Sequence, residues 1–226
     1  VVSIANDFTV NNSGGIIDQN GQTSTISLAS PKTLLRKTGT STMAFKESRT
    51  RRFAGTGQAT VIDSQEITPL AWQVRTGVWA GGLTCIAPIT SQWFVGGSAD
   101  LTSKGNLTLV NSGLGKALVA VTVFTENGAQ AQQLFAVKAN SFMTMQLGSL
   151  APGSKALAIH VTPQTGRVNA FLTDERGKGL QALGGDTVNS MPDAAREIVI
   201  PAIPQQTGRR TSLPHTLRVL IPGEVG

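Results

Sequence analysis

The stretch that decides the fold is Leu107-Thr108-Leu109-Val110-Asn111-Ser112-Gly113, followed by Leu118-Val119-Ala120-Val121-Thr122-Val123-Phe124 and the turn Glu126-Asn127-Gly128. In its second run Val119, Val121 and Val123 fall on one side, and Ala120, Thr122 and Phe124 on the other. A period of two is the signature of a half-buried strand, because successive side chains in extended chain point to opposite faces. The polar, glycine-bearing breaks on either side are turn chemistry. Further runs of the same kind flank the pair: Trp93-Phe94-Val95 before Gly96-Gly97, then Gln133–Val137, Phe142–Leu147, Leu157–Val161 and Val168–Leu172. Seven short strands without helical periodicity between them predict an immunoglobulin-like β-sandwich over 91–175.

The rest of the chain reads as β as well. Among 226 residues there are 26 Thr and 17 Ser, with 25 Gly and 10 Pro and only 14% charged residues, a chemistry that favours strands and turns over helices. At 40% hydrophobic it is too apolar for a disordered tail, and its apolar runs are too short for a membrane span. Residues 1–90 form a β-rich N-terminal domain with hairpin punctuation at Asn20-Gly21, and Gly-rich 176–194 reads as an extended connector. Glu197-Ile198-Val199-Ile200-Pro201 and Thr216-Leu217-Arg218-Val219-Leu220 read as strands. Leu107, Leu109 and Gly113 recur at a constant offset as Leu217, Val219 and Gly223. The expectation is therefore two β domains in tandem, with 195–226 either the strands of a second, truncated sandwich repeat or the completion of the N-terminal domain.

Catalytic patterns are sparse. Cys85 is the single cysteine, so neither an intrachain disulfide nor Cys-x-x-Cys chemistry is available, and it reads as a small buried hydrophobe. The two histidines are His160, on the outward or intersheet-edge face of its strand, and His215, in a connector. No Gly-x-Ser-x-Gly elbow, Asp-x-Asp-x-Asp-Gly loop or His-x-x-x-His pair occurs, so no enzyme activity, metal or cofactor is expected. Gly148–Lys155 departs from a phosphate loop because Ser precedes Lys and a strand follows.

Two surface features remain. The net charge is +6, spread almost evenly over the chain, yet Arg36, Lys37, Lys46, Arg49, Arg51 and Arg52 crowd a short stretch with Glu47 as its only acid. They are either a solvated, charge-protected edge or a polyanion-binding patch. Base stacking would want interleaved aromatics, and only Phe45 and Phe53 are near, so no nucleic acid is expected as partner. Trp72 and Trp79 are candidates for stacking on a sugar ring, whereas Trp93 reads as core because Phe94 and Val95 continue its strand.

The segment Gly81-Gly82-Leu83-Thr84-Cys85-Ile86-Ala87-Pro88, leading into Gln92-Trp93-Phe94-Val95-Gly96-Gly97, resembles an actinobacterial family of unknown function. Members of that family are secreted or membrane-anchored cell-envelope proteins carrying a Cys-x-x-Pro segment before a Trp-Phe-Val-Gly-Gly strand. The resemblance continues through Leu107–Gly113, Arg167-Val168-Asn169-Ala170 and Ile198-Val199-Ile200-Pro201, and covers about residues 77–226. Gln92 stands where a Trp is common, Ser112 where Pro is usual, and Ala202 where Gly often follows. The resemblance implies an extracytoplasmic location, tandem sandwich domains and an association with envelope glycan assembly, and it carries over no catalytic residue. The expected function is a non-enzymatic interaction or spacer module of the bacterial cell envelope. The alternative is a module binding glycan or anionic glycopolymer. Its partner would be an envelope protein or glycopolymer, and any membrane attachment would come from segments outside this chain.

Overall fold

The computed structural model describes the backbone of eight N-terminal strands, and then residues 88–191, 193–200 and 216–223. The N-terminal strands are β1 (Val2–Ala5), β2 (Ser24–Ala29), β3 (Thr33–Lys37), β4 (Thr42–Ala44), β5 (Arg51–Ala54), β6 (Ala59–Ser64), β7 (Leu70–Arg75) and β8 (Trp79–Thr84). They form two four-stranded antiparallel sheets in the orders β1-β6-β3-β4 and β5-β2-β7-β8.

All seven strands expected in the central block are present. They are β9 (Gln92–Val95), β10 (Asn106–Asn111), β11 (Ala117–Thr125), then after the two-residue β12 (Gly128–Ala129), β13 (Gln133–Val137), β14 (Ser141–Gln146), β15 (Leu157–Thr165) and β16 (Asn169–Lys178). One turn of helix, α1 (Leu147–Leu150), closes the end of β14. Two antiparallel sheets result: β14-β10-β16-β17, where β17 is Gln181–Val188, and β12-β11-β15-β9, with β13 also pairing with β11. The protein is all-β, and its centre is a two-sheet sandwich. The second central strand pairs with the fifth and the third with the sixth, as in immunoglobulin constant domains. The first and seventh differ: β9 lies beside β15, and β16 beside β10.

The core follows from alternation. Val119, Val121 and Val123 of β11 and Ile159 and Val161 of β15 face Leu107 and Leu109 of β10 and Leu172 of β16, all of them buried. In β10 and β16 the other face is also closed, since Thr108, Val110 and Phe171 are buried too. There β1 runs close against β10 and β16, and β8 runs beside β17, so the β14-β10-β16-β17 sheet is the middle of a layered stack.

Three expectations are corrected. The stretch 176–194 is not a plain connector, because β16 continues to Lys178 and turns at Gly179 into β17. Gly179 has φ of 58°, a conformation that glycine enters without a Cβ clash. The register shifts between Arg176 and Gly177, and this irregularity in a glycine-rich hairpin obscures the alternation. Trp93 is not a core residue: Phe94 takes the buried position at 1% exposure and Trp93 lies on the outer face. Glu197–Ile200 and Thr216–Leu220 do not form strands. Leu217 and Val219, which correspond in sequence to the fully buried Leu107 and Leu109, are 66% and 68% exposed. The second segment is held instead through the Arg218 side chain, which donates from Nη1 to the Gly97 carbonyl at 2.8 Å.

Candidate functional site

Two places in the central sandwich gather polar side chains in the residue types of a site. The first is the β9 edge. Antiparallel register sets Trp93 opposite His160 and His160 opposite Thr122, on the outward face of the sheet. The Trp93 and His160 rings stack at 3.8 Å between centroids with planes 6° apart, and Phe124 lies 5.7 Å from Trp93. The chain beyond β17 returns along this edge, where Trp93 and Met191 exchange backbone hydrogen bonds of 3.3 and 2.7 Å. That return brings Asp193 to Ser91, whose hydroxyl donates to Oδ1 at 2.7 Å. His160 Nε2 is 3.0 Å from the same hydroxyl oxygen and 3.1 Å from that of Thr162.

Serine, histidine and aspartate are the residue types of a hydrolytic triad, but their order differs. In a triad the carboxylate holds the imidazole, and the imidazole takes the serine proton. Here the serine hydroxyl donates its hydrogen bond to the carboxylate, so that toward the same oxygen His160 can act only as a donor, through Nε2–H, and not as a base. Burial lowers the pKa of His160, opposed by the charge of Asp193, and so favours the neutral ring. The arrangement ties the returning chain to the β9 edge. The imidazole covers one face of the Trp93 indole, which is thereby closed to a sugar.

The second place is the end of the sandwich where β10 turns into β11. Asn111, only 1% exposed, accepts from Gly113 N at 2.9 Å and donates through Nδ2 to the carbonyls of Gly115, Lys138 and Val137 at 2.8, 3.1 and 3.2 Å. One side chain thereby joins the β10–β11 turn to the end of β13. Beside it lies an open depression of about 420 Å³ lined by Pro88, Asn111, Ser112, the turn glycines, Lys116, Gly166 and Arg167.

At the opposite end Asp174 faces Asp186 across the β16–β17 ladder. Arg176 donates to Asp174 Oδ2 from Nε and Nη2 at 2.8 and 2.6 Å, and its Nη2 also reaches the Gly97 carbonyl at 3.2 Å. Desolvation and the neighbouring Asp174 charge raise the pKa of Asp186, against a lowering hydrogen bond from the Thr187 amide. In the loop after Gly97, Asp100 collects Thr102 N, Thr102 Oγ1 and Ser98 Oγ within 3.0 Å. These bonds, the Thr102 amide foremost, lower its pKa to about 2. Among the described residues no cluster of three or more His, Cys, Asp or Glu is placed to hold a metal, and no helix is long and apolar enough to cross a membrane.

Those sequence candidates for ligand binding that the structure describes lie on N-terminal strands. Arg36 and Lys37 lie on β3, and Arg51 and Arg52 on β5, strands that belong to different sheets. Lys46 and Arg49 lie outside the described residues, as do Cys85 and His215. Trp72 pairs with Gly82, and Trp79 with Arg75, backbone positions of opposite parity in one sheet. Sequence reasoning missed Asn111 and Gln92 as organising residues. A polar side chain beside an apolar strand was the available signal for each.

The fold and these two places define an all-β sandwich protein whose recognisable polar groups sit on an edge and at loop ends. Within that class, the chain belongs to the family of unknown function DUF5719, which matches residues 52–226. No curated protein matches the chain. Among solved structures, a crystal structure of Thermotoga maritima 1070 is similar over 46% of this chain and 95% of its own, with 14% identity and a TM-score of 0.40. The Anabaena sensory rhodopsin transducer is similar over 37% of this chain and 96% of its own, with 14% identity and a TM-score of 0.33.

Proposed function

We propose that the protein is a non-enzymatic interaction or spacer module working outside the cytoplasm, in an actinobacterial cell envelope. The observation that carries this reading is the bonding order at Ser91, His160 and Asp193, which fixes a chain segment where a hydrolase would activate a nucleophile. Gln92, Asn111 and Arg176 act in the same way, joining loops and strands through side-chain hydrogen bonds. A rigid body with tied ends suits a spacer. The test has two arms: incubation with a fluorophosphonate probe should leave Ser91 unlabelled, and an alkaline phosphatase reporter fused to the full reading frame should be active. Covalent labelling at Ser91 refutes the non-enzymatic part, and an inactive reporter refutes the location.

A second reading, a module that binds glycan or anionic glycopolymer in envelope glycan assembly, is supported by one further observation. The depression beside Asn111 is flanked by Lys116 and Arg167, both exposed.

A further inference from the structure

The turns at the Asn111 end of the sandwich are Ser112–Lys116 between β10 and β11, Lys138–Asn140 between β13 and β14, and Gly166–Val168 between β15 and β16. They carry Lys116, Lys138 and Arg167 and not one carboxylate, nor does the neighbouring stretch Pro88–Ser91. All three cations are exposed, and none has an ion pair among the described residues. The acids of the sandwich strands and loops lie elsewhere: Asp100, Glu126, Asp174, Glu175 and Asp186 are at the opposite end, and Asp193, on the β9 edge, is engaged by Ser91. Like charges gathered without a counter-charge repel one another, so an arriving anion relieves a repulsion as well as gaining attraction.

The floor between them is already shaped. Asn111 locks the turn that carries Lys116 and ties it to the Val137 and Lys138 carbonyls, so little order has to be created on binding. The cavity of about 420 Å³ is of a size that takes one or two sugar rings. A guanidinium presents a planar fork to carboxylate or phosphate, and an ammonium adds a point charge. The exposed backbone of the turn adds polar lining suited to hydroxyls, while the Asn111 amide is spent on holding that turn in shape.

We propose that this depression is a binding site for an anionic sugar unit, its carboxylate or phosphate held by Lys116 and Arg167 and its ring lying in the hollow beside Asn111. The proposal rests on the glycan-binding reading and deepens it by naming the place and the charged group. It is separate from the basic stretch at residues 36–52.

The test is titration of the whole chain at about 0.15 M salt, by calorimetry, with three probes: a galacturonic acid oligosaccharide, a poly(glycerol phosphate) oligomer and neutral dextran. Binding of either anionic probe but not dextran is expected, and the better probe tells uronate from phosphate. Lys116→Ser with Arg167→Ser should weaken binding about tenfold, the scale of two lost charge contacts at an exposed site. Lys104→Ser with Lys178→Ser removes the same net charge from the other end and should change it less than about twofold, because screening confines each charge to roughly 8 Å at physiological salt. Equal losses in the two double variants, or wild-type binding that survives Lys116→Ser with Arg167→Ser, overturn the site while leaving the glycan-binding reading standing. Absence of binding to all three probes overturns both.

Discussion

Replacing Gln92 by leucine isolates what one buried amide does for the sandwich. Gln92 is at 0% exposure on β9, and its Nε2 donates to the Val168 carbonyl at 3.0 Å while its Oε1 accepts from Ala170 N at 2.9 Å. The side chain thus supplies the start of β16 with the two backbone partners that a neighbouring strand would otherwise give. Gln92→Leu keeps the volume and strands one carbonyl and one amide where water has no access. Each such group costs about 1–3 kcal/mol, so the expected loss is about 3 kcal/mol after allowing for the added apolar burial. That is a large share of a stability of about 5–15 kcal/mol. In urea unfolding followed by tryptophan fluorescence, a slope of about 2–3 kcal/mol/M turns it into a midpoint lower by about 1 M. Gln92→Glu sharpens the test. Its carboxyl would be held above the unfolded pKa of about 4.3, so stability is retained below about pH 4 and falls as pH rises. A midpoint shift under about 0.3 M for Gln92→Leu, or no pH dependence specific to Gln92→Glu, refutes the reasoning.

Other outcomes follow from groups at the loop ends. Gly177→Ala places a Cβ in collision with the Thr102 carbonyl oxygen, a backbone atom, and should lower stability by about 1–3 kcal/mol in the same urea assay. Asp100, with its pKa lowered to about 2, contributes stability that is present above the unfolded value of 3.8 and is lost as pH falls through about 2. Asp100→Asn should therefore flatten the acid limb of the stability profile between pH 4 and 2, as measured by circular dichroism. Asp186, with its pKa raised, favours the fold in its protonated form, so its effect turns unfavourable as pH rises through and above 3.8. Asp186→Asn should raise Tm at pH 7 and leave it unchanged at pH 3. For His160 the neutral ring is favoured, so stability is lost as pH falls below 6.5. Proton NMR, with only two histidines to assign, should show His160 titrating below 6.5, and a midpoint at or above that value contradicts the burial argument.

The central strands were legible because valine and leucine alternate where each strand has one dry face. Val119, Val121 and Val123 announce β11 without help. Legibility fails where a local device replaces the pattern. The β16–β17 hairpin is hidden by Gly177, Gly179 and Gly184, which a sequence reader takes for linker and the fold uses for a turn and a register shift. Ile198-Val199-Ile200 and Leu217-x-Val219 show the reverse, since β-prone residues become strands only when a partner edge is present. Trp93 was misplaced by one position, and one position in a strand is the whole difference between inside and outside. The polar cluster of Ser91, His160 and Asp193 could not be read at all, because its members lie 69 and 102 residues apart and meet only when the chain returns past β9.

The double burial of β10 and β16 sets a limit on how the family can vary. A strand with one wet face tolerates exchange at every second position, and β11 retains that freedom at its outward sites Leu118, Thr122 and Phe124. From Leu107 to Asn111 every residue of β10 is enclosed, so neither parity is free. In a saturation mutagenesis library selected for folding, β11 should give a sawtooth of tolerated and rejected positions interrupted at the buried Ala120, and β10 an unbroken block of rejection. Drift in such a protein is channelled into the turns and the outer sheet, and surfaces for new partners can arise there while the middle strands stay fixed.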